Sequence, residues 1–189
     1  MKRLFFYNIT FLFLVIAILA SKAKIPCFWD CISDSFCCGA ARYGNKTLES
    51  LTTNGSLQLD GTHILGEATI NGSLEALGAT IGKLSVNGSV QLDGCRIKQG
   101  ATVNGALVCN ESTIEGELSI ATKKVALGRS TVSAITVRPS DGYEGTQVVE
   151  LRDAQVNGPV VFKTGKGEVW LFGDSNVAGQ VQGGIIHRK

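Results

Sequence analysis

The chain has 189 residues, with 23 glycines, three prolines and a formal net charge of +2 at neutral pH. This length suits one domain of moderate size together with a processing segment. Abundant glycine with little proline excludes a collagen-like chain and favours many tight turns between short strands. The small net charge, without a long run of lysine or arginine, gives no basis for nucleic-acid binding. With only two histidines and one methionine, we expect no metal, no cofactor and no enzymatic centre.

The first 23 residues have the features of a secretory signal peptide. A basic region at Lys2 and Arg3 precedes a long apolar run, and the segment ends with small residues up to Ala23. We therefore expect residues 1–23 to be removed and the protein to be exported, to the periplasm or outside the cell. The alternative is a membrane anchor formed by residues 4–20, a stretch that falls short of the usual span of about 20 residues.

Four cysteines, Cys27, Cys31, Cys37 and Cys38, lie close together after the signal peptide. In an oxidising compartment this cluster predicts two disulfides, with three possible connectivities. The adjacent Cys37 and Cys38 are not expected to bridge each other, so each should pair with an upstream cysteine. The spacing matches no paired C-x2-C zinc pattern. We interpret residues 24–47 as a cysteine-rich segment that caps the domain that follows.

The dipeptide Asn-Gly recurs at a nearly constant interval. It occurs at 54, 71, 87 and 104, separated by 17, 16 and 17 residues, and again at 157. Between these turns, three short runs per interval alternate apolar and polar residues, which indicates β-strands. Such self-similarity predicts an all-β fold, a three-sided parallel β-helix (β-solenoid) of about seven coils of about 17 residues. The coils are expected over 48–182, followed by a C-terminal tail, 183–189.

The alternation assigns two inward residues to each strand. Polar residues from Arg138 to Gln147 interrupt the pattern and are read as an insertion. Cys95 and Cys109 occupy different inward slots, and we expect them to be buried free thiols. The asparagines at the turns are expected to stack as an amide ladder. The predicted inward residues are Leu57, Leu59, Thr62, Ile64, Ala68, Ile70, Leu74, Ala76, Ala79, Ile81, Leu84, Val86, Val90, Leu92, Cys95, Ile97, Ala101, Val103, Leu107, Cys109, Ser112, Ile114, Leu118, Ile120, Val125, Leu127, Ser130, Val132, Ile135, Val137, Val149, Leu151, Ala154, Val156, Val160, Phe162, Val169, Leu171, Ser175, Val177 and Val181.

The repeats resemble those of the bactofilins, bacterial polymer-forming cytoskeletal proteins. The resemblance is carried by Asn54-Gly-Ser-Leu-Gln-Leu-Asp-Gly, Ile70-Asn-Gly-Ser-Leu, Val86-Asn-Gly-Ser-Val-Gln-Leu-Asp-Gly and Val103-Asn-Gly-Ala-Leu. It is best over 48–137 and looser to 182. It implies a compact right-handed three-sided β-helix that polymerises end to end without a nucleotide. The signal peptide, the cysteine cluster and the insertion depart from the family pattern, in which most members are cytoplasmic.

We therefore expect a non-enzymatic structural or scaffolding protein, of the cell envelope or secreted, that associates with itself through the ends of the β-helix. Trp170 and Phe172 in the last predicted coil are candidate contacts, because exposed aromatic residues often anchor interfaces. The expected partners are further copies of the chain, in a dimer or a filament, with membrane or cell-wall contact as a second class. A cap at one end would limit assembly to a two-fold dimer.

Two other function classes remain as alternatives, an enzyme and a binding module. Among enzymes, a hexapeptide acyltransferase would need a strict six-residue repeat, which the spacing breaks, and His63 or His187 as its catalytic histidine. A polysaccharide lyase would need carboxylates on one face, and Asp60 and Asp93 share a corner position with Leu77 between them. A secreted surface- or glycan-binding module is the stronger alternative. It would use an outward row of hydroxyls, Thr69, Ser85, Thr102, Ser119 and Thr136.

Overall fold

A computed structural model describes residues 31–33 and 36–189 of the chain, with side chains from Gly39 onward. The described residues form nineteen strands and no helix. The strands are β1 Cys31–Ser33, β2 Phe36–Tyr43, β3 Thr47–Leu48, β4 Leu51–Asp60, β5 His63–Leu77, β6 Thr80–Asp93, β7 Arg96–Ile97, β8 Gly100–Asn104, β9 Leu107–Asn110, β10 Thr113–Ala121, β11 Lys124–Gly128, β12 Thr131–Arg138, β13 Gln147–Arg152, β14 Gln155–Val156, β15 Val160–Phe162, β16 Gly167–Phe172, β17 Asn176–Val177, β18 Val181–Gln182 and β19 Gly184–Arg188. The predicted signal peptide and Cys27 lie outside the described residues.

The strands stack in parallel register as a β-solenoid, which confirms the predicted fold class. Coils of about 17 residues follow one another, and the stack is about nine turns high instead of about seven. Leu51 pairs with Ala68, and the register then continues through Leu84, Ala101 and Leu118. Two further columns stack in the same way, so each coil contributes a strand to each of three faces.

The core consists of the residues that the alternation assigned inward. All of them are buried except Val177 and Val181 in the last coils, which are half-buried and pack against the core. Most inward slots hold aliphatic residues, with Thr62, Ser112, Ser130 and Ser175 as buried polar exceptions, so one continuous hydrophobic column runs through the solenoid. Burying a Val, Leu or Ile side chain contributes about 1.5–3 kcal/mol, so this column is the main source of stability.

The Asn-Gly corner requires glycine for a steric reason. Gly72 has a φ of +148°, and a Cβ at this position would lie 2.1 Å from the carbonyl oxygen of Gly55 one coil below. Gly55, Gly88 and Gly105 are in the same situation. The glycine backbones therefore stack in contact, and any side chain in this column would push adjacent coils apart.

The asparagines of this corner form the predicted amide ladder. The Nδ2 atom of Asn71 donates to Oδ1 of Asn54 at 2.8 Å, and Asn87 donates to Asn71 at 2.9 Å. Asn104 continues the series by donating to Asn87 at 2.6 Å. Each amide thus connects two coils along the outside of the corner.

The insertion begins and ends within the regular structure. Arg138 is the last residue of β12, and Gln147 opens β13. Gln147 is buried, although its polarity led to its assignment to the insertion. Its Nε2 donates to the carbonyl oxygens of Thr122 and Arg138, both at 2.8 Å, and its Oε1 accepts from Thr164 at 3.0 Å. The amide therefore replaces backbone partners where the coil path is broken.

The stack is longer at both ends than the predicted range 48–182. At the N-terminal end, Phe36–Tyr43 lies in parallel register with β4, so part of the predicted cap forms the first coil. At the C-terminal end, Gly184–Arg188 lies in register with β16, so the predicted tail 183–189 contributes a final strand. These coils were missed because neither carries the Asn-Gly turn or a full set of aliphatic inward residues.

Candidate functional site

The C-terminal end of the solenoid is an open edge. Strand β19 pairs on one side with β16, and no other described strand pairs with its outer side. Ile186 lies in the inward column above Val169, yet its side chain is 46% exposed, whereas Val169 is fully buried. Ile185, on the outer surface of the same strand, is 58% exposed. The hydrophobic column therefore ends in solvent beside unpaired backbone groups, which is the surface that an edge strand uses to pair with another chain.

Trp170 and Phe172 lie one layer inside this end. The imidazole of His187 stacks on the indole of Trp170, with ring centroids 4.2 Å apart, and the Nζ atom of Lys189 lies 4.6 Å from the indole centroid. The indole Nε1 donates to Glu168 at 2.9 Å. These contacts attach β19 to the coil below it, and they leave Trp170 half-buried.

Phe172 is also half-buried, with the guanidinium of Arg152 4.4 Å from its ring centroid. The exposed apolar surface at the end belongs to Ile185 and Ile186, two residues of the predicted C-terminal tail. One signal in the sequence could have identified them: Gly184 follows Gly167 by one coil length and pairs with it. The role of the two aromatic residues in self-association stays a prediction.

The N-terminal end carries a short antiparallel strand. Strand β1 pairs with β2 through Cys31 opposite Cys37 and Ser33 opposite Phe36. It covers the outer edge at the start of β2, while the other edge of β2 pairs with β4. The predicted disulfides stay predictions, because Cys27 and the side chains of the other three clustered cysteines lie outside what the structure describes.

Cys95 and Cys109 are both buried free thiols, as predicted. The Cys95 Sγ lies 3.3 Å from the carbonyl oxygens of Ala76 and Asp93. The Cys109 Sγ lies 3.6 Å from the hydroxyl of Ser130. Burial raises the pKa of both thiols, because removal from water disfavours the thiolate. Both groups are therefore unreactive in the folded protein.

The residues considered for enzymatic roles are spread along the stack. Asp60 and Asp93 lie in one corner column with Leu77 between them, as the repeat predicted. His63 is exposed on another face, and His187 lies in the final strand. In the described part of the chain, no group of three His, Cys, Asp or Glu side chains is arranged to hold a metal ion.

The outward hydroxyls form one continuous column. Thr69 pairs with Ser85, Ser85 with Thr102, Thr102 with Ser119, and Ser119 with Thr136. The spacing of parallel strands places successive hydroxyls about 4.8 Å apart. The predicted row of hydroxyls is therefore present in the structure. Binding of a surface or a glycan by this row stays a prediction.

Comparisons with protein-family models, curated proteins and solved structures found no match to the chain. Function is therefore inferred from the geometry of the two ends and of the corners. Residues 31–33 and 36–189 include no helix that is long and apolar enough to span a membrane.

Proposed function

We propose that this protein is a non-enzymatic structural protein that associates with copies of itself through the C-terminal end of its β-solenoid. One observation carries the proposal: Ile186 continues the buried hydrophobic column and is 46% exposed at its end. The repeats resemble those of the bactofilins, and this resemblance implies solenoids that polymerise through their ends. The finer assignment to that family rests on the sequence resemblance alone.

The physical advantage of end-to-end contact comes from two sources. A second copy of β19 would supply hydrogen-bond partners for the unpaired backbone groups of the outer edge. It would also bury Ile186 and the half-buried Val177 and Val181, which close the hydrophobic column. Complete burial of an aliphatic side chain contributes about 1.5–3 kcal/mol, so this end has a substantial driving force for association.

The two ends differ in how accessible their edges are. Strand β1 runs antiparallel to β2 and pairs with the start of its outer edge. A parallel strand from another copy would have to displace β1 before it could pair there. Association through the C-terminal ends alone is two-fold and closes at a dimer, whereas two usable ends would give a filament. We therefore propose a dimer as the basic assembly.

The proposed location is the cell envelope or the exterior of the cell. The support is the signal-peptide pattern of residues 1–23 and the cysteine cluster, which suits an oxidising compartment. Contact with the membrane or the cell wall is the second partner class that this location would allow. The net charge of +2 supports no nucleic-acid partner.

The test is the assembly state of the purified protein in negative-stain electron microscopy and light scattering. Ile186→Lys and Ile185→Lys each place a charge at the C-terminal end, and we expect both to convert the dimer to a monomer. Leu65→Lys is the matched control, because Leu65 is 64% exposed in β5, far from the C-terminal end of the stack. A wild-type protein that is monomeric at high concentration, or variants that still dimerise, would contradict the proposal.

A further inference from the structure

We propose that a cleft between the asparagine ladder and the insertion binds a carboxylate-bearing sugar, such as a hexuronate unit of an acidic glycan. The cleft has a volume of about 540 Å³, which lies in the range of small-molecule sites. This function is separate from self-association, since the cleft lies on the side of the stack.

A small residue in the ladder column creates the depression. Gly105 and Ala121 line the cleft together with Asn87, Asn104 and residues 138–141 at the start of the insertion. Ala121 pairs with Asn104 in the coil below and with Arg138 in the coil above. The methyl group of Ala121 is too short to continue the ladder, so the surface falls away at this point.

Arg138 supplies a positive charge to the cleft. Its Nη2 donates to Oδ1 of Asn104, while its Nε is buried without a hydrogen-bond partner. Arg138 takes part in none of the ion pairs found in the described part of the chain. A half-buried cation without a counter-charge is unfavourable. A carboxylate is the complementary ligand, because its two oxygens match the donor geometry of a guanidinium.

The other lining groups suit the hydroxyls of a sugar. The side-chain amides of Asn87 and Asn104 each donate one N–H to the ladder, which leaves a second N–H on each. Ser140 adds a hydroxyl, and the exposed carboxylate of Asp141 is available to accept hydrogen bonds from a bound sugar. A bare anion would use Arg138 and be repelled by Asp141, whereas an acidic sugar would use both. This combination therefore favours a hexuronate over a simple anion.

The insertion is held in place before any ligand binds. Ser140 and Tyr143 form an isolated antiparallel bridge, and the hydroxyl of Tyr143 donates to the carbonyl oxygen of Thr146 at 2.9 Å. The Nζ atom of Lys123 lies 5.0 Å from the centroid of the Tyr143 ring. A preformed wall lowers the entropic cost of binding.

The test is calorimetric titration of the purified protein with sodium glucuronate, methyl glucoside, acetate and phosphate. We expect glucuronate to bind more tightly than the other three probes. Arg138→Gln should weaken this binding by at least about tenfold, because it removes a charge-assisted contact. Arg138→Lys keeps the positive charge but loses the paired donors of the guanidinium, so its affinity for glucuronate should lie between those of the wild type and Arg138→Gln. Asp141→Asn should weaken binding less than Arg138→Gln does.

The matched control is Arg96→Gln, which removes an equal charge from the exposed Arg96–Glu115 pair on another face. It should change the affinity by less than about twofold, because exposed charges at a distance are screened. Circular dichroism establishes that each variant is folded. If Arg138→Gln does not fold, the affinities of Arg138→Lys and Asp141→Asn for glucuronate test the site instead.

Binding of acetate or phosphate as tight as that of glucuronate would overturn the sugar assignment. Binding of methyl glucoside as tight as that of glucuronate would overturn the carboxylate contact. Absence of binding by all four probes would overturn the site itself.

Discussion

The guanidinium of Arg138 donates a hydrogen bond to the side-chain oxygen of Asn104, although the two residues are 34 positions apart in the chain. Between them in the stack lies Ala121, which pairs with both and has no amide to offer. The long side chain of Arg138 crosses this gap and occupies the acceptor at the end of the ladder. The ladder and the insertion are thereby connected.

The ladder makes a graded prediction about stability. Asn87 donates to Asn71 and accepts from Asn104, whereas Asn54 accepts one ladder bond from Asn71. Since an intramolecular hydrogen bond contributes about 0.5–1.5 kcal/mol, we expect Asn87→Ala to lower the free energy of unfolding about twice as much as Asn54→Ala. Chemical denaturation measures both. Gln91→Ala, at an exposed position on the next face, is the control and should have little effect. Equal losses at 54 and 87 would mean that the amides do not act as a ladder.

The glycine column predicts a large difference between two similar substitutions. In Gly72→Ala the new methyl group would meet the carbonyl oxygen of Gly55 at 2.1 Å, so the coils must separate. We expect a loss of roughly 3 kcal/mol or more, in the range of severe overpacking. Gly78 also has a positive φ, of +59°, but no atom lies within 4 Å of a Cβ there. Gly78→Ala should therefore cost only about 1–2 kcal/mol, the penalty of a left-handed conformation. Thermal unfolding of the two variants checks the comparison, and similar melting temperatures would contradict the stacking.

The central coils could be predicted from the sequence because they follow one rule. An Asn-Gly turn sets the register of four coils, and the alternation of inward and outward residues continues where the dipeptide is lost, so the repeat predicts the buried inward positions from Leu57 to Leu171. The first coil was missed because Cys38 and Gly39 stand opposite Asn54 and Gly55. The first coil therefore has the glycine of the Asn-Gly turn but a cysteine in place of the asparagine.

The candidate site was harder to predict because its residues act through tertiary position. Ile186 is apolar and lies in a core column, and only the end of the stack leaves it exposed. The cleft depends on Arg138 reaching across Ala121, and the period of the repeat does not report the direction of a long side chain. Gln147 shows the same limit, because its polarity predicts a place in the insertion, whereas its amide satisfies buried backbone groups.

The two buried thiols predict how stability changes with pH. Burial raises the pKa of Cys95 and Cys109 in the folded state above the ordinary value of 9.0. The unfolded chain therefore releases these protons first as the pH rises, and the stability contribution that is complete below about pH 8 declines above about pH 9. Each thiol should contribute a slope of up to about 1.4 kcal/mol per pH unit in that range.

The measurement is the difference in the free energy of unfolding between wild type and Cys95→Ala/Cys109→Ala from pH 7 to 10. The difference between the two proteins removes the contribution of lysines and tyrosines that they share. The native protein should also resist a thiol reagent at these two positions until it unfolds. A stability difference that does not change with pH would show that the two thiols are not protected by the core.

The antiparallel pairing of β1 and β2 predicts one disulfide of the cysteine cluster. Cys31 and Cys37 are direct partners in this pair, and opposed residues of an antiparallel pair have Cα atoms about 4.5–5.5 Å apart, within the range of disulfides. We therefore expect a bond between Cys31 and Cys37, with Cys27 left to pair with Cys38. Closing so short a loop should stabilise the β1–β2 pairing by about 2 kcal/mol.

The consequence of this bond concerns assembly. With β1 attached, the outer edge at the start of β2 stays covered, and the C-terminal end alone is available for association. Cys31→Ser/Cys37→Ser should allow β1 to separate from β2, and light scattering and negative-stain microscopy should then show species longer than the dimer. Cys95→Ser is the control, because this thiol lies in the core and its loss leaves β1 attached. Peptide mapping without reduction that links Cys37 to Cys38, or filaments of the oxidised wild-type protein, would show that β1 does not cap the solenoid.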